Sequence, residues 1–333
     1  MDFSSRIYVA GHTGLVGSAL VARLRALGYN NLILRTRPEL DLTDQAAVER
    51  FFSETRPEYV FLAAARVGGI LANCSLPAAF IFENLSIQTN VIHECYRSSV
   101  KRLLFLGSSC IYPRDAAQPL QESSLLTGPL ELTNRPYAVA KIAGIEMCWA
   151  YNRQYHTQFL AAMPTNLYGP GDNYDSQSSH LVPALIRKMH EAKVANAQHV
   201  VVWGTGTPRR ELLYSADAAD ACVFLMRLPQ PEIEPMFSSV EMPPLVNVGC
   251  GADHKVAEIA ELVAEVVNYR GSIAFDPAKP DGTPRKLMDT SRLTALGWKA
   301  KTHLRDGLVL AYRDFCSRQF DSSTESVLSS QKG

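Results

Sequence analysis

The chain has 333 residues, of which 47% are hydrophobic and 20% are charged, a composition that can bury the core of one large domain or two ordinary ones. Its 33 basic and 33 acidic residues balance, so no global field attracts a nucleic acid or an anionic membrane, and we expect neither as a partner. The seven cysteines form no CxxC pair and no apolar run reaches ~18 residues, so we expect a cytoplasmic protein with reduced thiols, no metal site and no membrane span.

Strands and helices alternate in the first half of the chain. Short apolar runs predict strands at "RIYVAG", "NLILR", "EYVFLAAA" and "RLLFLGSS". Between them, helical spacing predicts helices at "GLVGSALVARLRALG", at "DLTDQAAVERFFSETRP" and over residues 77–99. Because the strands are apolar throughout and are separated by helices, the sequence predicts an α/β fold, a doubly wound parallel sheet of the Rossmann type.

The second half is less regular and predicts a smaller domain of mixed α/β structure. A polar loop, "YGPGDNYDSQSS", precedes a predicted helix, "HLVPALIRKMHEAK"; strands are predicted at "HVVVWG" and "LVNVG", and a helix at "VAEIAELVAEVV". We expect an N-terminal domain over residues 1–168, to which the chain returns near 212–250, and a C-terminal domain over 169–211 and 251–320. The polar tail, residues 321–333, is expected to be disordered.

Three glycines follow the first predicted strand and open the first helix. Gly11, Gly14 and Gly17 in "VAGHTGLVG" permit a tight turn, a close approach of the backbone to a diphosphate, and close packing of the helix on the sheet. The helix N-terminus adds unpaired N–H groups and about half a positive charge. An ordinary glycine-rich turn is the alternative, but the preceding strand and the following helix favour a dinucleotide site.

The end of the second predicted strand indicates which dinucleotide is bound. An acidic residue there would bind a ribose 2′-hydroxyl and repel a 2′-phosphate, whereas this chain has Arg35 and Arg37 in "LRTRPEL". Guanidinium groups neutralise a phosphate and bind it through paired hydrogen bonds. We therefore predict NADP(H) rather than NAD(H) as the cofactor; arginines that are simply solvated at the surface are the alternative.

Three polar side chains beyond the glycines point to carbonyl reduction. Tyr137 and Lys141 in "NRPYAVAKIAG" lie four residues apart on one face of a helix, where the ammonium is expected to lower the pKa of the phenol toward neutrality. Ser108, at the end of the fourth predicted strand, supplies a hydroxyl for a substrate carbonyl, with Ser109 as a competitor. With the glycine-rich turn, they resemble the Ser-Tyr-Lys constellation of extended short-chain dehydrogenases/reductases.

A thiol beside this constellation is not needed for reduction. Cys110 in "LGSSCIYPR" could take a proton from a carbon next to a ketone if neighbours lowered its pKa; a small buried hydrophobe is the alternative. Such a base needs a partner acid, and His180, between the polar loop and the next helix, titrates in the useful range. A helix cap or a solvated surface group is the alternative for His180, and seven other histidines compete with it.

Several segments resemble the GDP-L-fucose synthase family, whose members are GDP-4-keto-6-deoxymannose 3,5-epimerase-4-reductases. In chain order they are "AGHTGLVGSAL", "AAARVGGI", "LGSSCIYP", "PYAVAKIAGIEMC", "MPTNLYGPGDN", "HLVPALIRK", "VVVWGTGTPRRE" and "KPDGTPRKLMD". The resemblance implies that Ser108, Tyr137 and Lys141 form the reductase triad. It also implies that Cys110 is the epimerisation base and His180 the acid. The implied substrate-binding residues are Lys188, Trp203, Arg210 and Asp281.

The same resemblance implies a larger set of residues that hold NADP(H). This set comprises Gly11, His12, Thr13, Gly14, Leu15, Val16, Gly17, Arg37, Asp41, Leu42, Leu106, Gly107, Ser108, Ser109, Lys141, Pro164, Thr165, Asn166, Leu167 and His180. Relatives often carry an arginine where this chain has Thr13, which leaves Arg37 and Arg35 to bind the 2′-phosphate. The family further implies a GDP-sugar substrate and a homodimer.

Two other kinds of function stay open at the level of sequence. The first is another sugar-nucleotide enzyme of the superfamily. A 4,6-dehydratase would need an acidic residue near the active serine, which "SSCIY" lacks, and a 4-epimerase would retain NAD and need no base like Cys110. The second is a non-catalytic regulator that senses NADP(H), against which the intact Ser108, Tyr137 and Lys141 argue.

Overall fold

The computed structural model describes residues 1–176, 178–279 and 281–330, with side chains as far as residue 318. Its strands are β1 (Ile7–Ala10), β2 (Leu32–Ile33), β3 (Tyr59–Leu62), β4 (Arg102–Leu106), β5 (Phe159–Pro164), β6 (Asn166–Tyr168), β7 (His199–Trp203), β8 (Arg209–Tyr214), β9 (Leu245–Val248), β10 (Asp253–Lys255), β11 (Ser272–Asp276) and β12 (Arg285–Lys286). Its α-helices are α1 (Leu15–Ala26), α2 (Gln45–Thr55), α3 (Ile70–Ser75), α4 (Pro77–Arg97), α5 (Arg135–Tyr155), α6 (Leu181–Val194), α7 (Ser215–Arg227), α8 (Gln230–Ser238), α9 (Val256–Val267), α10 (Ser291–Ala295) and α11 (Leu304–Ser330).

The central sheet has the strand order β2-β1-β3-β4-β5-β9, and its strands all run parallel. Every residue of β1, β3 and β9 is buried, as expected for a parallel sheet that helices cover on both faces. The strand order reverses between β1 and β3, so the carboxyl ends of these two strands flank a crevice. These observations confirm the predicted doubly wound α/β fold.

Hydrophobic clusters on the two faces of the central sheet hold the helices in place. On one face, Val9, Phe61 and Leu104 pack with α1 and α7; on the other, Tyr8 and Phe105 pack with α2, α4 and α5. Successive residues of one strand, such as Tyr8 and Val9, therefore face opposite helical layers. Because full burial of each large apolar side chain contributes about 1.5–3 kcal/mol, the strand ends that carry the site are firmly positioned.

Smaller sheets lie beyond the central one. β8 pairs with β6, β10 and β12, while β7 pairs with β11. A third hydrophobic cluster joins α6, α9 and α11 to β7. In the parallel pair β8–β12, Lys286 lies beside Arg210, so the two side chains are on the same face of the pair.

The structure departs from the predicted elements in several places. The predicted strand "NLILR" is reduced to Leu32 and Ile33, because β2 is an edge strand that pairs with β1 alone. Helix α3, which follows Gly69, was not predicted. Nor were the helices α7, α8, α10 and α11, or the strands β5, β6, β8, β10, β11 and β12. In the tail that was expected to be disordered, α11 continues to Ser330, since extension of an existing helix needs no new nucleus; residues 331–333 lie outside the described residues. Among the described residues, no helix combines the length and the apolar character needed to cross a bilayer.

Candidate active site

The carboxyl ends of β1 and β3 meet at the glycine-rich turn. Gly11 has a φ of +81°, and a Cβ there would lie 2.7 Å from the backbone nitrogen of Ala64. A Cβ on Gly17 would lie 2.0 Å from the carbonyl oxygen of Gly11, so α1 can approach the turn only with glycine at this position. A Cβ on Gly14 would lie 3.5 Å from the same oxygen, which is an ordinary contact. Gly11 and Gly17 thus allow the close packing of turn and helix.

The start of α1 presents hydrogen-bond donors to this crevice. Gly14 occupies the N-cap with extended backbone and no side-chain hydrogen bond, so no capping side chain accepts from the first-turn N–H groups. That turn contains no acidic residue. The Nδ1 atom of His12 is buried without a hydrogen-bond partner in the described part of the chain. These features fit the diphosphate of a dinucleotide lying on the helix N-terminus.

The two arginines after β2 have different surroundings. The exposed guanidinium of Arg37 has nitrogen–oxygen distances of 3.8 Å to the Asp41 carboxylate and 3.7 Å to the Glu83 carboxylate. Arg35 instead donates a hydrogen bond to a neighbouring backbone carbonyl and lies over the Phe51 ring of α2. Among the residues that the structure describes, Arg37 is therefore held by long ion pairs alone, whereas Arg35 packs on α2.

β4 ends in a polar turn that meets the start of α5. The Ser108 side chain lies next to the Tyr137 phenol and the Cys110 thiol, and its hydroxyl accepts a hydrogen bond from the Cys110 backbone N–H at 3.4 Å. Lys141 donates a hydrogen bond to the Leu106 carbonyl, with 2.7 Å between Nζ and O, and its ammonium lies 5.7 Å from the centre of the Tyr137 ring. The structure thus brings four of the predicted catalytic residues into one cluster.

Burial controls protonation in this cluster. It raises the pKa of Tyr137, and Cys110 raises that pKa further, so the phenol is protonated at neutral pH. The predicted lowering of this pKa by Lys141 is wrong for this arrangement, because burial dominates and the ammonium bonds to Leu106 rather than to the phenol. Burial lowers the pKa of Lys141 to about 8, against the opposing effect of Cys110.

Cys110 is buried, with 6% of the residue exposed, but it lines a small cavity. The wall of this cavity also contains Lys286 and Glu131. Burial raises the pKa of the thiol, and the groups that oppose this shift are, in decreasing order, Lys286, Ser108 and Lys141. Cys110 therefore borders a cavity with charged walls, unlike a cysteine that serves only as a small core hydrophobe.

His180 lies directly before α6, at the end of the polar loop. It occupies the N-cap position, but its side chain makes no capping hydrogen bond, which excludes the cap alternative. The residue is exposed to solvent, and partial burial of its imidazole, followed by the nearby Lys286, lowers its pKa. A hydrogen bond from the Gly69 N–H to the Ser178 carbonyl holds the loop. Lys286 is thus a common neighbour of His180 and Cys110.

The four implied substrate ligands lie on α6, β7, β8 and the segment before β12. Lys188 donates a hydrogen bond of 2.7 Å to a backbone carbonyl of β7, and burial lowers its pKa. Arg210 donates to the Asp281 carbonyl at 3.1 Å, and the Asp281 carboxylate accepts hydrogen bonds from the N–H and hydroxyl of Thr205. Because Thr205 follows Trp203 by two residues, these bonds connect Arg210 with the turn after Trp203, a residue that is 56% exposed.

The remaining predicted cofactor residues lie at strand ends or in the connections that follow them. They are Asp41 and Leu42 between β2 and α2, Leu106, Gly107 and Ser109 at the end of β4, and Pro164, Thr165, Asn166 and Leu167 at β5 and β6. The Thr165 N–H donates to the Val248 carbonyl of β9, which fixes the end of β5 beside its neighbour. In the described residues, no group of three or more His, Cys, Asp or Glu side chains is arranged to hold a metal ion.

Sequence reasoning missed Lys286. Its strand, β12, has two residues and pairs with β8 across a long stretch of chain, so no local periodicity marks it. The one available signal was its position in the segment "KPDGTPRKLMD".

Comparison with known proteins places the chain among sugar-nucleotide enzymes. Residues 7–237 match the model of the NAD dependent epimerase/dehydratase family. GDP-L-fucose synthase 1 of Arabidopsis thaliana is 56% identical over 321 residues, covering 95% of this chain and 96% of that protein. GDP-L-fucose synthase of Escherichia coli strain K12 is 50% identical over 318 residues, covering 94% of this chain and 97% of that protein.

The fold is also similar to solved structures. MlghC, a GDP-mannoheptose C4 reductase from Campylobacter jejuni solved with NADP bound, is 40% identical to this chain. The two superimpose with a TM-score of 0.85 over 95% of this chain and 99% of that one. The likeness therefore extends through both the central sheet and the smaller sheets.

Proposed function

The chain belongs to the NAD-dependent epimerase/dehydratase family, and on that premise we propose that it converts GDP-4-keto-6-deoxy-D-mannose to GDP-L-fucose by epimerisation at C3 and C5 and NADPH-dependent reduction at C4. The two relatives named GDP-L-fucose synthase, at 56% and 50% identity, support this substrate and product. One structural observation carries the proposal: a cysteine thiol lies in the same cluster as the Ser108, Tyr137 and Lys141 of a reductase.

The cluster at the end of β4 contains the groups that ketone reduction requires. When bound, NADPH supplies a hydride to C4 of the sugar. Tyr137 is protonated because burial raises its pKa, so it donates a proton to the C4 oxygen while Ser108 orients that oxygen through a hydrogen bond. Lys141, whose ammonium lies 5.7 Å from the centre of the tyrosine ring, stabilises the phenolate that remains.

Epimerisation uses the same ketone. C3 and C5 both flank C4, so loss of a proton from either carbon moves the C–H electron pair toward the C4 oxygen, and Tyr137 and Ser108 stabilise the resulting enolate. The Cys110 thiolate takes the proton from one face of the ring, and the His180 imidazolium returns a proton to the other face. Reduction of C4 then removes the carbonyl that acidified both carbons and fixes the new configuration.

The cofactor is NADP(H), in keeping with a similar solved structure that has NADP bound. The donors at the start of α1, with the close packing that Gly11 and Gly17 allow, would hold the diphosphate. Arg37 would hold the 2′-phosphate, since it is exposed at the crevice and Thr13 supplies no charge.

The GDP portion of the substrate is proposed to lie along β7, β8 and α6. Arg210 and Lys188 supply positive charge for the diphosphate, and the exposed indole of Trp203 offers a flat apolar face to the guanine. Asp281 positions Arg210 and the turn after Trp203 through its hydrogen bonds. This assignment supports a division into a cofactor-binding part, 1–168 with 212–250, and a substrate-binding part, 169–211 with 251–320.

A homodimer through α4 and α5 is part of the proposal. These helices pack against each other and expose Phe82 and Val139, at 68% and 39% of the residue area. Beside them, Pro77, Ile81 and Pro136 line an apolar groove. A second copy of the chain would bury this surface, which we call the α4/α5 face.

We also propose a cytoplasmic location, which the seven free thiols support.

The direct test is to supply GDP-4-keto-6-deoxy-D-mannose and NADPH and to identify the product by chromatography and NMR. We expect GDP-L-fucose and one NADPH oxidised for each molecule formed. A 6-deoxyhexose with unchanged configuration at C3 and C5 would contradict the epimerase assignment. Absence of NADPH consumption would contradict the reductase assignment and favour a regulator or a 4-epimerase.

A further inference from the structure

A second ammonium lies beside the thiol, and the mechanism above does not use it. Lys286 lines the same cavity as Cys110 and acts electrostatically on both Cys110 and His180, the two groups proposed to move protons. Within the described residues, its ammonium donates no hydrogen bond and forms no close ion pair. A half-buried cation without a direct partner is costly, so the position of Lys286 on the cavity wall it shares with Cys110 needs an explanation.

The backbone on both sides of Lys286 is fixed. The Leu287 N–H donates to the Gln118 side chain at 2.9 Å, and the Met288 N–H donates to the Glu211 carboxylate at 2.8 Å. Glu211 itself is fully buried. These bonds, with the pairing of β12 on β8, prevent the strand from shifting to take the ammonium away from the cavity.

The other charges around the cavity are already balanced. Glu131 accepts hydrogen bonds from Thr133 and pairs with Arg114 at 3.5 Å, and Arg285 pairs with Asp253.

The titratable and charged groups that face Cys110 are Lys286, Lys141 and Tyr137. Those that face Lys286 are Cys110, His180, Arg210 and Glu131. The charge of Lys286 is therefore available to the thiol and the imidazole.

We propose that Lys286 is the positioning residue for the proton transfers at C3 and C5, where its single charge acts on both members of the acid–base pair. It favours the thiolate of Cys110, so more of the base is present, and it destabilises the imidazolium of His180, which makes that group a stronger proton donor. This inference rests on the proposed function for its chemistry, but the charge effect on Cys110 can be measured without turnover.

A charge effect has a signature that a packing effect lacks. A unit charge at contact distance changes the pKa of its neighbour by about 1–3 units. Removal of the ammonium with retention of the side-chain stem should therefore raise the pKa of the thiol and the pKa of the imidazole together. Lys286→Met tests this change, and Lys286→Arg should restore the original behaviour. Lys299→Met is the matched control, because Lys299 is exposed and lies outside the cavity wall.

The experiment follows alkylation of Cys110 by iodoacetamide as a function of pH, with the extent read by mass spectrometry of the peptide that contains this residue. Lys286→Met should move the inflection about 1–3 pH units higher, whereas Lys286→Arg and Lys299→Met should match the wild type. An unchanged inflection in Lys286→Met overturns the inference. Should that variant fail to fold, Lys286→Gln takes its place with the same expected shift.

A second readout separates this inference from the proposed function. Deuterium exchange at C3 and C5 should show both limbs of its pH profile displaced to higher pH in Lys286→Met. If the wild type forms GDP-L-fucose but Lys286→Met leaves the pH of the alkylation inflection unchanged, the inference is wrong and the proposed function stands. If the inflection moves but the wild type does not form GDP-L-fucose, the function fails and the charge effect stands.

Discussion

Burial acts in opposite directions on the two residues of α5 that the reductase needs. It raises the pKa of Tyr137 and lowers that of Lys141 to about 8. The free protein thus holds a phenol that is ready to donate and an ammonium that is close to losing its proton. The hydrogen bond from Lys141 to the Leu106 carbonyl holds the ammonium at the end of β4.

The lowered pKa of Lys141 predicts a pH-dependent contribution to stability. Between about 8 and its ordinary value of 10.5, Lys141 binds fewer protons in the folded state than in the unfolded state. The free energy of unfolding of the wild type should therefore rise with pH in this window relative to Lys141→Met, by at most about 1.4 kcal/mol per pH unit. Urea titrations of both cofactor-free proteins at several pH values measure the difference. A difference that is constant or falls with pH contradicts the shift.

Arg37 should determine the preference of the protein for NADPH over NADH. Loss of a charged contact to the 2′-phosphate in Arg37→Ala should weaken NADPH binding about tenfold to a hundredfold and leave NADH binding nearly unchanged. Arg35→Ala is the matched control, because Arg35 packs over Phe51. Calorimetric titration with each cofactor gives the affinities. Equal losses for NADPH and NADH, or a larger effect from Arg35, would refute the assignment.

Residues with local signals could be found from the sequence. The four-residue spacing of Tyr137 and Lys141, and the position of Ser108 after an apolar run, are both local, and the structure brings these side chains together. The pKa of Tyr137 could not be predicted, because it depends on burial by distant parts of the chain. Lys286 was missed for the same reason: β12 reaches Cys110 only through its pairing with β8.

At the scale of elements, the contact between α1 and the turn after β1 determines whether the helix N-terminus can face a diphosphate. Gly17 should be intolerant of any side chain, because its Cβ would lie 2.0 Å from the Gly11 carbonyl oxygen. Strands β1, β3 and β4 were predictable because they are continuous apolar runs. Strands as short as β10 and β12 carry too few residues for a periodic pattern, and they form through pairing with a longer neighbour.

A pair of alanine substitutions tests this contact. Gly17→Ala should lower the free energy of unfolding by about 1–3 kcal/mol, because the helix must move away from the turn. Gly14→Ala, whose Cβ would make an ordinary contact at 3.5 Å, should cost less than about 1 kcal/mol. Chemical denaturation of the two cofactor-free variants provides the comparison. Equal destabilisation would mean that the close approach of α1 does not depend on Gly17.

At the scale of the whole molecule, the site lies where the central sheet meets the smaller sheets. The central sheet and its helices contribute the glycine-rich turn, Ser108, Cys110, Tyr137 and Lys141. The smaller sheets contribute Lys286, which lies on β12. The polar loop that ends at His180 connects the two parts. Neither part alone holds both the reductase cluster and the cation next to its thiol.

The α4/α5 face predicts the oligomeric state. Phe82→Glu places a charge in the centre of the proposed dimer contact and should shift the protein from dimer to monomer in light scattering coupled to size exclusion. Val194→Glu is the matched control, since Val194 is also exposed, at 69%, but lies at the end of α6. A monomeric wild type, or a dimer that is indifferent to Phe82→Glu, would exclude this interface.

The proposed function requires separate roles for the Cys110 thiol and the Tyr137 phenol in one pocket. NMR of the sugar recovered from reactions in D₂O reports both steps, because deuterium at C3 and C5 marks epimerisation and the hydrogen at C4 marks reduction. Cys110→Ser should lose deuterium uptake at C3 and C5 while it binds NADPH normally, and Tyr137→Phe should lose reduction far more than exchange. Equal loss of both activities in both variants would contradict the account.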